Sequence, residues 1–245
     1  MIEDIRSSRI HEQIKLNTAT EPACEFCHYR DSCLIRKLDE GKVAGTLSEA
    51  ITPKGGVMLD DKDSGEFIHV LKSGSIKVAL KTDLNKSAYA FYFPQSIFFV
   101  DGFLGRESKH NAIALEQTRT CKIPVSTVLK NIGLYPELYS KLINTFRERL
   151  DSEVYFYENI MGKKSTSKIA GFILNVLQRH NENDKKTDEI TLTMSRVEIS
   201  NFLGITHESV SRALKSLVSK GVIGVFNKRI SINNLSELEN IYNAD

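Results

Sequence analysis

The sequence predicts an α+β chain made of an N-terminal antiparallel β-roll or barrel, one long helix and a C-terminal winged helix-turn-helix. Three observations carry that prediction. Between about 51 and 130, short runs rich in β-branched and aromatic residues are separated by Gly, Pro and Asp turn signals, the spacing of a small barrel. After Pro136, apolar residues recur at three- to four-residue steps or their multiples, and only Gly162 breaks the pattern. From Arg196 to Lys215 two short amphipathic helical patterns meet at Gly204.

With 245 residues and 41% hydrophobic content, the chain can fill one large core or two smaller ones, and two domains suit the length better. A charged fraction of 26% with a formal net charge of only +2 excludes whole-chain disorder and a blanket polycation. Glu3 and Asp4 with no apolar segment do not suit a secretory signal, and the apolar stretch from Ala88 to Val100 is interrupted by Pro94 and too short for a membrane helix. A cytoplasmic protein with no membrane partner is expected.

Taken in order, residues 1–20 are polar and aperiodic and are expected to be flexible. A cysteine-bearing segment and the barrel occupy 21–134. Strands are expected at Phe67–Leu71, Ser75–Leu80, Ala88–Phe93 and Asn111–Leu115, with turns at Lys54-Gly55-Gly56, Ser64-Gly65, Ser73-Gly74, Pro94 and Asp101-Gly102. Residues 135–162 form the helix, whose apolar set includes Leu142, Ile143, Phe146, Leu150, Tyr157 and Met161. Such a helix exposes more apolar stripe than a barrel can cover. Pairing with its copy in a homodimer is therefore expected, through Ile143, Phe146, Leu150, Glu153 and Tyr157; a helix packed on its own domain is the alternative. Glu153 interrupts this seam, and two facing copies would oppose association unless protonated, shielded or offset.

Residues 163–235 carry 12 Lys and Arg against 6 Asp and Glu, so the remainder of the chain is net negative. Within this basic third, Ile199, Leu203, Ile205, Val210, Ala213 and Leu214 form the apolar side of the two short helices, Ser200 is small where they approach, and Gly204 suits the turn. Thr206 can cap the second helix, leaving His207, Glu208, Ser211 and Arg212 near its start on the outward side. Their chemistry suits base edges in double-stranded DNA: Arg212 can donate twice to guanine, Glu208 can accept from the cytosine amine, and Ser211 offers a small polar contact. A helical hairpin with ordinary surface polar residues is the plainer alternative. Val222–Phe226 and Arg229–Ile232 flank Asn227-Lys228 as a two-stranded wing whose Lys228 could meet a phosphate.

Three cysteines fall in the spacing Cys24-x2-Cys27-x5-Cys33, and Cys121 could supply a fourth thiolate from the barrel. Four cysteines are too few for a disulfide scaffold in a chain of this length. Four thiolates suit tetrahedral zinc or an iron–sulfur cluster, and the ligand chemistry alone does not choose.

The order barrel, long helix, winged helix-turn-helix resembles the Crp/FNR family of bacterial transcription regulators over nearly the whole chain. The run Leu71-Lys-Ser-Gly-Ser-Ile-Lys77 looks like the family's barrel turn, and His207-Glu-Ser-Val-Ser-Arg212 looks like the FNR-type reading motif Glu-x-x-Ser-Arg. The resemblance implies a cyclic-nucleotide-binding-like sensor domain, a homodimer on a palindromic TTGAT-type site and contact with RNA polymerase. The three-cysteine spacing with a distant Cys121 before Ile-Pro resembles the signature of FNR oxygen sensors, which implies a [4Fe-4S] cluster on Cys24, Cys27, Cys33 and Cys121. In those proteins oxygen converts the cluster and ultimately removes it, and Glu153 falls at the position of an acidic residue that then drives the subunits apart.

The chain departs from the pattern at Ser32, where a bulky apolar residue is usual, and at His28, an imidazole that could bond a sulfur or compete as a ligand. Arg106 is followed by Glu107, with no Gly-Glu-Leu segment nearby, which argues against a cyclic nucleotide as ligand. A regulator gated by another small ligand, with structural cysteines or zinc, is the alternative. A redox enzyme fused to a DNA-binding module lacks support, since no Ser-His-Asp set, HExxH or Walker-type loop is present; no enzymatic activity is expected.

Overall fold

The computed structural model of the chain describes residues 47–58, 66–80, 88–98, 109–133, 162–183 and 187–244, together with positions 136, 139, 140, 142–144, 146, 147, 150, 151, 154 and 157. Cys24, Cys27, Cys33, His28, Ser32, Arg106, Glu107, Glu153 and Met161 lie outside the described residues.

The N-terminal half is built from β1 (Ser48–Thr52), β2 (Phe67–Ser73), β3 (Ile76–Leu80), β4 (Ala88–Tyr92), β5 (Ile97–Phe98), β6 (His110–Ala114) and β7 (Thr118–Pro124), followed by α1 (Val125–Asn131). Among the described residues these strands form two sheets, one in the order β1-β7-β2-β5 and one in the order β4-β3-β6. The pairings β1 with β7, β7 with β2, β2 with β5 and β3 with β6 are all antiparallel. The tight β2–β3 connection depends on Gly74, at φ +84°, where a Cβ would lie 2.7 Å from the carbonyl oxygen of Gln117. Neither the backbone angle nor the space admits a side chain there.

Contacts divide the chain into two units, the second comprising Asn85–Ala90 and Glu148–Asp245. A buried apolar cluster in the first unit joins Leu47, Ile68, Val70, Cys121, Ile123, Val125, Val128 and Leu142. Every described position from 136 to 157 is helical. Leu142, at 5% exposure, belongs to that cluster and not to an outward seam, whereas Tyr139 and Ile143 are exposed and Phe146 is half-buried. In the second unit Leu150, Val154 and Tyr157 are 61%, 56% and 64% exposed.

An ion cluster sits beside Cys121. Glu49 on β1 stands opposite Cys121 on β7, is only 3% exposed, and accepts from Lys72 Nζ at 2.7 Å and Arg119 Nε at 2.6 Å. Burial alone would raise its pKa, but the hydrogen bonds from Lys72 and Arg119 and their charges outweigh that and hold the carboxyl below its ordinary range. A carboxyl depressed in the folded state stabilises the fold above its unfolded pKa of about 4.3 and loses that contribution as pH falls through the folded value. Glu49→Gln is therefore expected to cost about 1–3 kcal/mol at neutral pH, because two cations lose their anion. Urea unfolding at pH 7 and in the acid range should show the wild type losing stability more steeply than the variant; parallel curves would refute the role.

The second unit contains α2 (Ser165–Asn183), β8 (Glu189–Thr191), α3 (Arg196–Leu203), α4 (His207–Ser219), β9 (Ile223–Phe226), β10 (Arg229–Ile232) and α5 (Leu235–Asn243). Its core is made by Ile169, Phe172 and Ile173 of α2, Phe202 and Leu203 of α3, Val210 and Leu217 of α4, and Leu238 of α5, all buried. Phe172 and Phe202 meet with ring centroids 5.9 Å apart. The strands form an antiparallel sheet in the order β8-β10-β9, with Asn227 at φ +55° in the β9–β10 turn.

Candidate nucleic-acid interface

Each end of the α3–α4 pair is fixed by its own sequence. Ser195 caps α3 in a reciprocal box: its hydroxyl accepts from the Glu198 backbone N–H at 3.2 Å, and the Glu198 carboxylate accepts from the Ser195 backbone N–H at 2.8 Å. Gly204, at φ +61°, ends α3 in the left-handed conformation that turns the chain. Thr206 then caps α4, its hydroxyl accepting from the Ser209 backbone N–H at 3.2 Å. Ser200 is buried where a larger side chain would separate the helices, and its hydroxyl donates to the Val197 carbonyl at 2.8 Å.

Beneath the turn lies Lys168 of α2, buried, with Nζ donating to the Leu203 carbonyl at 3.4 Å. A cation suits the carbonyl end of α3, although burial pushes its pKa down. No local pattern signals this contact, because it joins residues 35 positions apart.

α4 is strongly two-sided. Val210, Ala213, Leu214 and Leu217 are buried, while His207, Glu208 and Arg212 are exposed and Ser211 is half-buried. The structure thus brings the sequence-predicted set together on the outward side of the first two turns. The Glu208 carboxyl is held below its ordinary range by its own backbone N–H at the helix start, then by the Thr206 hydroxyl, with His207 and Arg212 adding charge. It stays an ionised acceptor near neutral pH, the form that would accept from an exocyclic amine.

The arginines of this face are oriented by hydroxyls. Arg212 Nη2 donates to Ser209 Oγ at 3.2 Å, and Arg196 Nη1, at the start of α3, donates to Ser211 Oγ at 3.0 Å. Arg196 and Ser209 were not singled out by the sequence pattern; Arg196 stands in the first turn of α3 but bonds into α4, 15 residues on. Lys228 of the β9–β10 turn is exposed, and its Nζ donates to the Thr193 carbonyl at 3.3 Å.

The cysteines form no comparable set within the described region. Cys121 on β7 is 6% exposed, and among the described residues no group of three or more His, Cys, Asp or Glu side chains is placed to hold a metal ion. Nor is any helix among the described residues long and apolar enough to cross a membrane.

Residues 167–241 match the Crp-like helix-turn-helix domain family. An anaerobic regulatory protein of Haemophilus influenzae is 27% identical over 220 residues, covering 88% of this chain and 86% of that protein. A fumarate and nitrate reduction regulatory protein of Vibrio cholerae is 25% identical over 220 residues, covering 88% of each. FixK2 of Bradyrhizobium japonicum shares the fold with a TM-score of 0.70 at 23% identity, over 80% of this chain and 96% of FixK2. The matched domain contains the whole two-sided α3–α4 pair, and the likeness continues through the β-roll; these similarities support a DNA-binding transcription regulator of the Crp/FNR family, FNR type.

Proposed function

We propose that the chain is an oxygen-responsive regulator in which a [4Fe-4S] cluster on Cys24, Cys27, Cys33 and Cys121 controls homodimerisation and binding to a palindromic TTGAT-type site. Two relatives named for anaerobic or fumarate and nitrate regulation support the signal. The observation that carries the reading is the company of Cys121: Leu47, 14 residues after Cys33 in sequence, and Leu142, whose neighbour Ile143 is exposed, share its buried cluster. A thiolate donor set of four fits an iron–sulfur group. When bound, that group supplies an oxygen-labile centre.

The chain's own residues do the rest. Packing around Cys121 bears on Leu142, which neighbours the exposed Ile143 of an apolar stripe. A second copy is the occupant this stripe fits, since two such helices bury each other's apolar face. A two-fold pair would present two α4 helices to two half-sites, with His207, Glu208, Ser211 and Arg212 toward base edges and Thr206 and Lys228 near the backbone.

The test is protein purified without oxygen. Expected are about four iron and four sulfide per chain, a visible chromophore bleached by air, and tight binding to a symmetric duplex that is lost on bleaching. Colourless protein with one bound zinc, or DNA affinity that follows a small ligand and ignores air, would overturn it. Within the DNA complex, Arg212→Ala should relax selectivity at one guanine by about 1–3 kcal/mol, whereas Lys228→Ala should weaken all sequences alike. Competition binding with single-base substitutions separates the two, and equal losses on specific and random duplex for both variants would contradict the division.

A further inference from the structure

We infer that Arg196 is a positioning residue for sequence recognition: it sets which hydrogen-bonding face Ser211 turns to the DNA. This rests on the reading that α4 enters the major groove. A serine hydroxyl has one donor and two acceptor sites, and a guanidinium can only donate. With Arg196 Nη1 donating into Ser211 Oγ at 3.0 Å, one acceptor site is filled and the hydroxyl hydrogen is repelled from the guanidinium. The donor is turned away from the guanidinium and only one acceptor site remains, so Ser211 is biased toward donating. It should therefore favour base atoms that accept, such as thymine O4 or guanine O6 and N7, over the amines of cytosine and adenine.

Two features make this more than a chance surface contact. The guanidinium comes from α3, whose first turn is held by the Ser195–Glu198 box, so its origin is fixed independently of α4. Arg212 makes the contrasting contact: it bonds Ser209 within its own helix and can swing toward a base without disturbing Ser211. The two arginines thus take different parts, Arg212 as reader and Arg196 as the group that orients a second reader.

The experiment measures binding of anaerobically prepared full-length wild type, Arg196→Met, Arg196→Lys, Ser211→Ala and the Met/Ala double variant to the symmetric duplex and to every single-base substitution of one half-site. Arg196→Met should lose about fivefold to tenfold of discrimination at the same base pair as Ser211→Ala, leave the other positions unchanged, and add nothing in the double variant. If Arg196 merely attracts phosphate, Arg196→Met will weaken all duplexes alike with a salt slope shallower by about one, Arg196→Lys will restore it, and the Ser211→Ala effect will add independently; that result overturns the inference while leaving the proposed function standing. A wild type that does not distinguish the symmetric site from random duplex overturns both.

Discussion

Replacing Cys121 by alanine is expected to leave the β-roll folded while reducing iron in anaerobically purified protein to a small fraction of the wild-type content. The two halves of that expectation have separate causes. Cys121 is 6% exposed among aliphatic side chains, so removing its sulfur leaves a small cavity and costs about 1 kcal/mol, too little to unfold a unit of this size. Iron would be lost because, in the proposed site, three thiolates cannot complete a four-ligand set. Alanine is the informative substitute, since serine would bury a hydroxyl at a further cost of about 1–3 kcal/mol and confound folding with loading. Val70→Ala, in the same cluster on the neighbouring strand, is the control: it should destabilise the unit by a comparable or larger amount and keep its iron. If Cys121→Ala retains about four iron per chain, Cys121 is not a ligand and the proposed sensing site falls.

The helix-turn-helix was readable residue by residue because its determinants are local. The cap at Thr206, a left-handed Gly204 and apolar residues at helical spacing all act within a few positions, as does the Ser195 cap, which the sequence pattern did not single out. Strands β2, β3, β4 and β6 were readable for the same reason, since runs of β-branched and aromatic residues bounded by turn signals are local patterns. β1 and β7 were not. β1 buries a glutamate and β7 interleaves Arg119 and Lys122 with its core residues, and these charges are tolerable only through partners on other strands: Glu49 between Lys72 and Arg119, and Lys122 over the Phe67 ring at 4.6 Å. Periodicity likewise finds a helical stripe without saying which edge of it faces inward, so Leu142 was grouped with residues from which the structure separates it. In the candidate interface the outward set of α4 was legible, whereas Arg196 was missed because its meaning lies in a long side chain reaching another helix.

Leu150→Glu is expected to abolish dimerisation in the micromolar range and to lower affinity for a symmetric site by at least about a hundredfold, while leaving affinity for an isolated half-site unchanged. Leu150 is 61% exposed and is flanked at helical spacing by Val154 and Tyr157, at 56% and 64%, so in a single chain an acidic replacement meets water and costs the fold little. Across a two-fold axis the change is doubled. Each copy forfeits roughly 1.5–3 kcal/mol of leucine burial and adds a carboxylate to the contact. A combined loss above about 3 kcal/mol weakens association by more than a hundredfold before charge repulsion is considered. Sequence position 153 already carries a glutamate, so the variant places a second negative charge within four residues of sequence. Sedimentation equilibrium and duplex binding on the same anaerobic sample read the two consequences together. A Leu150→Glu protein that remains dimeric would place the subunit contact elsewhere and leave the exposed helix face needing another partner; a monomer that still binds the symmetric site at full strength would uncouple dimerisation from recognition.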